Sequence, residues 1–151
     1  MKVFTIGFQK RPAENFFLTL KKSGIQKVID VRRKNTSHLA GYTKEPDLRF
    51  FLEKCFGIAY EHILEFAPSE DLLKEYQNSL EKKDNTAWTG YVKKFQDSVL
   101  SQPIVERFQK AVEGFNAICL LCAEETADRC HRRLLAEHFK RHIPDLQIQH
   151  L

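Results

Sequence analysis

The stretch AICLLCAE, residues 117–124, decides the fold class, because its first seven residues are all apolar. A short apolar run without polar alternation is typical of a strand that is covered on both faces of a parallel sheet. KVIDVR, residues 27–32, has three apolar residues, all of them β-branched. We therefore expect both segments to form inner strands of a parallel sheet with helices on either side.

Three more segments have the composition of strands: VFTIGF (3–8), IAYEHIL (58–64) and DLQIQHL (145–151). Apolar residues at helical spacing separate the strands along the chain. Two of these predicted helices begin near Pro12 and Pro46, where proline is tolerated in the first turn. They end at Gly24 and Gly57, which are suited to the backbone turn that closes a helix.

The middle of the chain is helical throughout, with apolar stripes in residues 72–80, 88–99 and 104–115. The aromatic stripe that begins at Trp88 has helical period, so we interpret it as core rather than as a base-stacking platform. A final helix has its inner face in residues 134–139. The pattern predicts a single α/β domain over 1–151, with a mostly parallel sheet of about five strands flanked by helices and a helical insertion in mid-chain.

Composition and charge limit the classes of protein to which the chain can belong. The chain has 151 residues, with 42% hydrophobic and 29% charged residues, which is typical of one soluble globular domain. No apolar run reaches the ~20 residues of a membrane span, and the start of the chain lacks the pattern of a signal peptide. We therefore expect a cytoplasmic protein without a membrane partner. A net charge of +4 permits an anionic ligand but does not demand nucleic acid.

The four cysteines are expected to be reduced, because a cytoplasmic domain of this size needs no disulfide. Cys55 and Cys119 fit core positions, since each falls on an apolar face or run. Cys122 and Cys130 instead bracket the polar loop that follows the strongest strand. These two are the cysteines that we place at a candidate site.

Polar side chains gather where the predicted strands end. The carboxyl ends of parallel strands meet at one edge of a sheet, which is where ligands bind in open α/β folds. Asn35, Thr36 and Ser37 continue the group beyond the second strand as a loop rich in hydrogen-bonding side chains. The residues at or just beyond the strand ends are Asp30, Arg32, Arg33, Tyr60, His62, Cys122, Glu124, Cys130, His131 and His150.

Cys130 and His131 stand at the start of the last predicted helix, which Thr126 or Asp128 would cap. The helix dipole and the nearby arginines favour a thiolate at Cys130, and the same geometry favours a bound anion. We therefore predict either a reactive thiol or an anion cradle with His131 as proton donor. In the alternative, Cys130 packs against the strand and the arginines are solvated.

Two known site types fail on spacing. Cysteine phosphatases need C-x5-R, but the sixth residue after Cys122 is Asp128, and the loop is acidic and without glycine, so it is not a P-loop either. A zinc site would use Cys122, Cys130 and His131, with His62 as the candidate for a fourth ligand. The spacing C-x7-C-H is not an established zinc pattern, and adjacent Cys-His pairs rarely supply both ligands. We expect no metal and no cofactor.

Asp30 and Arg32 admit two interpretations. An aspartate that ends a parallel strand next to an arginine either takes part in chemistry or forms an ion pair that lowers its pKa without a catalytic role. Glu124 would pair with Arg32 or orient His131 as a carboxylate orients a base. His62 and His150 are weaker candidates, since a histidine at a strand end is often only hydrogen-bonded.

Several of these segments, taken in order, resemble a known family, the one catalogued as domain of unknown function 488. They are T-I-G (5–7), D-V-R (30–32), Y-x-H (60–62), L-C-A-E (121–124), C-H-R (130–132) and the closing H-L (150–151), and N-T-S-H-L-A-G-Y (35–42) resembles a subgroup. Phe8 departs from the histidine or serine that many members carry, so no role is expected for it. The resemblance implies a compact α/β domain with a site around D-V-R and C-x-E…C-H-R, and it implies no reaction.

The main functional hypothesis is an enzyme that acts on a small anionic or nucleotide-like substrate. Cys130, His131, Asp30 and Glu124 are the predicted catalytic residues. The predicted substrate contacts are Arg32, Arg33, Arg132, Ser37, Tyr60, His62, Cys122 and His150. Two alternatives stay open: a module that binds or processes nucleic acid, and a ligand sensor without catalysis.

Overall fold

A five-stranded parallel sheet runs through the middle of the molecule in the computed structural model, which describes residues 1–151. Its strands are β1 (Lys2–Gly7), β2 (Lys27–Asp30), β3 (Ala59–His62), β4 (Ala117–Cys122) and β5 (Gln147–His150). Their order across the sheet is β3-β2-β4-β1-β5, and every neighbouring pair is parallel. The predicted α/β class with a parallel sheet of five strands is confirmed.

Strand β4 lies at the centre of the sheet, between β2 and β1, as its apolar sequence predicts. Successive side chains of a strand point to opposite faces, and β4 feeds two separate cores in this way. Ile118 and Leu120 join a core of 22 buried residues on one face. Cys119 and Leu121 join a core of 13 buried residues on the other face. An apolar residue is therefore needed at every position of β4.

Helices cover both faces of the sheet. One core packs under α1 and α2, and the helical middle of the chain lies on the other face together with the last helix. The helices are α1 (Ala13–Lys22), α2 (Asp47–Phe50), α3 (Glu70–Glu81), α4 (Ala87–Phe95), α5 (Ile104–Ala111) and α6 (His131–His142). A turn of wider helix follows α2 at Phe51–Cys55 and α4 at Gln96–Leu100. Tighter helical turns lie at His38–Thr43 and Leu64–Phe66. No helix combines the length and the apolar surface needed to cross a bilayer.

Two local predictions are wrong. Cys55 is exposed rather than in the core, because the α2 helix widens over Phe51–Cys55 and the helical register that would turn Cys55 inward is lost. Neither Thr126 nor Asp128 caps the last helix. Cys130 itself is the N-cap residue of α6, with extended backbone angles (φ −135°, ψ 138°) and no side-chain cap.

Candidate functional site

A cleft of about 860 Å³ opens at the carboxyl edge of the sheet, where the sequence places the polar strand ends. Residues that follow β1, β2 and β4 line it, and α3 and α4 cover it from one side. Seven of the residues predicted for the site lie in its wall. They are Arg32, Arg33, Ser37, Cys122, Glu124, Cys130 and His131.

Two cysteines and a histidine meet at the buried end of this cleft. The Sγ atoms of Cys122 and Cys130 and a ring nitrogen of His131 all lie within 4.8 Å of one another. Cys122 ends β4, and the chain returns so that the extended Cys130 and the first helical residue, His131, both face it. All three side chains are buried, with exposed fractions of 5%, 2% and 7%. The sequence offers no reason to expect that the adjacent Cys130 and His131 would both face one site. They do so because the backbone changes from extended at Cys130 to helical at His131.

The ring of His131 is held in one orientation by a long-range hydrogen bond. Its Nε2 lies 2.8 Å from the carbonyl oxygen of Val31. A carbonyl only accepts, so Nε2 carries a proton, and Nδ1 is the ring nitrogen left for a second partner. Both ring nitrogens lie 3.8 Å from the Cys122 Sγ atom. The group that orients this imidazole is therefore a backbone carbonyl of the β2 end, rather than the Glu124 carboxylate considered from the sequence.

The surroundings of the two thiols drive their acidities apart. Burial opposes ionisation of Cys130, but hydrogen bonds from Cys122 and His131 and the charges of His131 and Arg132 hold its pKa well below the ordinary range. Its hydrogen bond to Cys130, together with burial, raises the pKa of Cys122 well above the ordinary range. The cluster thus favours a thiolate on Cys130. Cys122 stays protonated, and its S–H group is the hydrogen-bond donor to that thiolate.

Asp30 and Arg32 form a buried ion pair, which is the second of the two interpretations offered by the sequence. Arg32 Nε and Nη2 donate to the two carboxylate oxygens at 2.8 and 2.7 Å, and Arg32 also donates to the hydroxyl and carbonyl of Thr43. The Tyr60 hydroxyl and the Asn35 amide donate to Asp30 Oδ2 at 2.7 and 3.3 Å. Arg32 reaches the cleft beneath the Phe8 ring, 5.3 Å from its centroid, but most of its donors are already used.

Burial, followed by the negative charge of Asp30, raises the pKa of Tyr60, which keeps this hydroxyl protonated as a donor. The two histidines predicted at the strand ends form hydrogen bonds with neighbouring groups. His62 Nε2 lies 2.8 Å from the carbonyl oxygen of Arg32, and His150 Nδ1 lies 2.7 Å from the Thr5 hydroxyl. The Ser37 hydroxyl accepts from the backbone N–H of Leu39. Tyr60, His62 and His150 are thus outside the cleft wall.

Arg132 is buried beside the cluster and holds the loop between β4 and α6 through hydrogen bonds to its backbone. Its side chain is 1% exposed, and Nη1 donates to the carbonyl oxygen of Glu124 at 2.7 Å. Gly7 makes this arrangement possible, because a Cβ atom at that position would lie 1.6 Å from the same carbonyl oxygen. The Glu124 carboxyl is half-buried, and burial and the charge of Cys130 raise its pKa. Glu124 forms no salt bridge with Arg32.

Sequence reasoning missed several residues of the cleft, including Phe8, Lys34, Tyr76, Tyr91 and Arg129. Tyr91 was interpreted as core from its helical spacing, and it is indeed part of the larger core. Tyr91 lines the cleft together with Cys122 and Cys130, and burial, followed by the negative charges of these two cysteines, raises its pKa. The basic clusters at 32–34 and 129–133 were the available signal for Lys34 and Arg129.

These features define a class: an all-parallel α/β domain whose carboxyl edge carries a cleft ending in a buried Cys–Cys–His cluster. The family model described as domain of unknown function DUF488 matches residues 12–139, and the chain belongs to this family. The resemblance stated from the sequence is thereby confirmed. No curated protein and no solved structure matches the chain.

Proposed function

We propose that the protein is an enzyme that acts on a small anionic, nucleotide-sized substrate in this cleft, with Cys130 as the reacting thiolate. One observation carries the proposal: Cys130, Cys122 and His131 meet at the buried end of a cleft of about 860 Å³. That volume lies in the range of ~300–1,000 Å³ that is usual for small-molecule sites. A nucleophile within reach of a proton donor, a base and a pocket is the arrangement that covalent catalysis needs.

The position of Cys130 supports its role as nucleophile. It precedes the first residue of a 12-residue helix, whose N-terminal dipole stabilises negative charge. Cys122 and His131 add hydrogen bonds, and Arg132 adds positive charge from behind. The Nε2 atom of His131 is held by the Val31 carbonyl, so Nδ1 is the nitrogen that can exchange a proton with Cys130 or the substrate. Glu124, whose pKa is raised, suits the delivery of a proton to a leaving group.

The rim of the cleft supports an anionic substrate. Four basic side chains lie in its wall besides Arg32: Arg33, Lys34, Lys74 and Arg129. The acidic ones are Glu70, which pairs with Lys34 at 3.5 Å, and Glu124. The rings of Phe8 and Tyr76 offer apolar surface for a base or another flat group. In this proposal Arg33 and Arg129 contact the anion, Ser37 lies beside them, and Asp30, Arg32 and Arg132 support the site from within.

Nucleic acid is the weaker alternative, because the rim mixes basic and acidic side chains and the chain has no dense basic tract. The steep salt dependence that is expected of nucleic-acid binding would separate the two cases.

Competitive alkylation tests the proposal with a control inside the molecule. Cys55 is exposed and serves as an ordinary thiol, whereas Cys130 is buried at the cleft. Treatment of the folded protein at neutral pH with a small thiol reagent, followed by peptide mass spectrometry, gives the rate at each cysteine. We expect Cys130 to react faster than Cys55 despite its burial, and pyrophosphate or a nucleoside phosphate to slow Cys130 alone. Modification of Cys55 alone, or equal effects of the anion on both, would contradict the proposal.

A further inference from the structure

We infer that Cys122, Cys130 and His131 form a binding site for a divalent transition metal of the zinc class, with one coordination position open to the cleft. The inferred metal site rests on the same cluster as the proposed function and adds a metal-bound state to its metal-free state. A metal-bound thiolate is no longer a free nucleophile, so metal binding and thiol chemistry exclude each other at Cys130. The metal is thus inferred as an inhibitory ligand of the reactive site.

The separations between the ligand atoms fit a tetrahedral metal. Zinc binds sulfur at ~2.3 Å and nitrogen at ~2.0–2.1 Å, which places S and N about 3.6 Å apart at a tetrahedral angle. In the protein, Cys122 Sγ lies 3.8 Å from His131 Nδ1. No two of the three ligand atoms are more than 4.8 Å apart. Small rotations of the side chains are enough to place all three around one ion.

The histidine is already oriented as a ligand. Metal-bound histidines usually donate their second ring N–H to a carboxylate or a backbone carbonyl, which fixes the tautomer and the direction of the ring. His131 donates Nε2–H to the carbonyl oxygen of Val31 at 2.8 Å, and this leaves Nδ1, which lies 3.8 Å from the Cys122 Sγ atom as Nε2 does, for a metal. The Phe95 ring, 5.7 Å from the imidazole between centroids, packs against the same side chain. Nδ1 is thus the ring nitrogen available to bind a metal next to the two cysteines.

The donor set selects the class of metal. Two thiolates and one imidazole suit zinc and other borderline or soft ions, and they do not suit Mg²⁺ or Ca²⁺, which prefer oxygen ligands. Two thiolates also balance the charge of a divalent ion, which matters because all three ligand residues are less than one-tenth exposed.

The fourth coordination position is open. Structural zinc sites have four protein ligands, whereas sites with three ligands leave a position for water or another small ligand. Cys122, Cys130 and His131 all belong to the cleft wall, so the remaining side of the ion would face the cleft. Glu124 and Tyr91 are the polar side chains beside that position.

Cobalt titration of the metal-free, reduced full-length protein tests the inference. We expect one Co²⁺ per chain, with the intense sulfur-to-cobalt charge-transfer absorption of thiolate ligands and the visible bands of a tetrahedral ion, both displaced by Zn²⁺. Cys122→Ser and His131→Ala should each weaken binding by at least about tenfold, and Cys55→Ser should leave it unchanged. Circular dichroism checks that the variants fold. Absence of the charge-transfer absorption in the folded wild-type protein overturns the inference without any variant, and so does an unchanged spectrum in folded Cys122→Ser or His131→Ala.

The two proposals fail separately. Stoichiometric Zn²⁺ should protect Cys130 from alkylation while Cys55 continues to react at its usual rate. If cobalt does not bind but Cys130 still reacts faster than Cys55, the metal site is refuted and the thiolate enzyme stands. If cobalt binds but metal-free Cys130 reacts no faster than Cys55, the free nucleophile is refuted and the metal site stands.

Discussion

Replacing Asp30 by Asn tests the buried ion pair that shapes the end of β2. Asp30 is fully buried and accepts from Arg32, Tyr60 and Asn35. An Asn at this position keeps one acceptor oxygen, but its amide faces the Tyr60 hydroxyl or the Arg32 guanidinium, which are both donors. Arg32 then stays buried with a full charge and no counter-ion. Removal of one partner from such a pair costs about 3–5 kcal/mol, and we expect the free energy of unfolding to fall by that amount.

Urea denaturation followed by circular dichroism measures this loss, with Glu70→Gln as the matched control. Glu70 forms an exposed ion pair with Lys34 at 3.5 Å, and loss of an exposed pair should cost no more than ~1 kcal/mol. The double variant Asp30→Asn, Arg32→Met should recover part of the loss, because it removes the unpaired buried charge. A loss below ~1 kcal/mol in Asp30→Asn would refute the reasoning, since Arg32 would then have no need of its partner.

The same ion pair predicts a dependence of stability on pH. Burial alone would raise the pKa of Asp30, but the hydrogen bond and charge of Arg32, with the hydrogen bond of Tyr60, hold it below the ordinary value. A lowered pKa in the folded state stabilises the protein above the unfolded pKa of ~3.9, and this contribution is lost as the pH falls through the folded pKa. The stability difference between wild type and Asp30→Asn should therefore shrink below about pH 4. A difference that stays constant down to acid pH would contradict the lowered pKa.

Two further predictions concern packing. Gly7→Ala should lower the free energy of unfolding by at least about 2 kcal/mol, because the new Cβ would lie 1.6 Å from the Glu124 carbonyl oxygen. Urea denaturation measures this change, and a loss below ~0.5 kcal/mol would show that the loop moves away at little cost. Phe108→Ala should cost about 3–5 kcal/mol, since Phe108 is fully buried and stacks on Phe139 at 4.0 Å. Leu39→Ala is the control for Phe108→Ala: Leu39 is 93% exposed, and its loss should change the free energy of unfolding by less than ~0.5 kcal/mol. Similar losses in Phe108→Ala and Leu39→Ala would contradict the placement of Phe108 in the core.

Periodic features of the fold could be read from the sequence because they are local. The apolar run of β4 predicts a strand buried on both faces, and the structure divides its side chains between two cores. Helical spacing predicts the helices of the middle segment in the same way. Cys55 shows the limit of this reasoning, since a single widened turn after α2 changes the register and leaves it exposed.

The candidate site could be predicted in part. Parallel strands bring their carboxyl ends to one edge, so the meeting of Arg32, Cys122, Cys130 and His131 at one cleft follows from the strand pattern. The same rule does not say which strand ends reach the cleft. His62 lies behind it on the β3 side, bound to the carbonyl oxygen of Arg32.

The sequence by itself determined the α/β class, the inner strands and the candidate residues of the site, because apolar periodicity is a property of local chain segments. It also contained the Asp30–Arg32 pair, whose partners are two residues apart. Only the tertiary structure decided which nitrogen of His131 is free, since the bond that fixes the ring reaches Val31, 100 residues earlier in the chain. Only packing brought the Sγ atoms of Cys122 and Cys130 within 4.8 Å of each other. A pair of cysteines and a histidine becomes a chemical centre through such long-range contacts, and no local pattern encodes them.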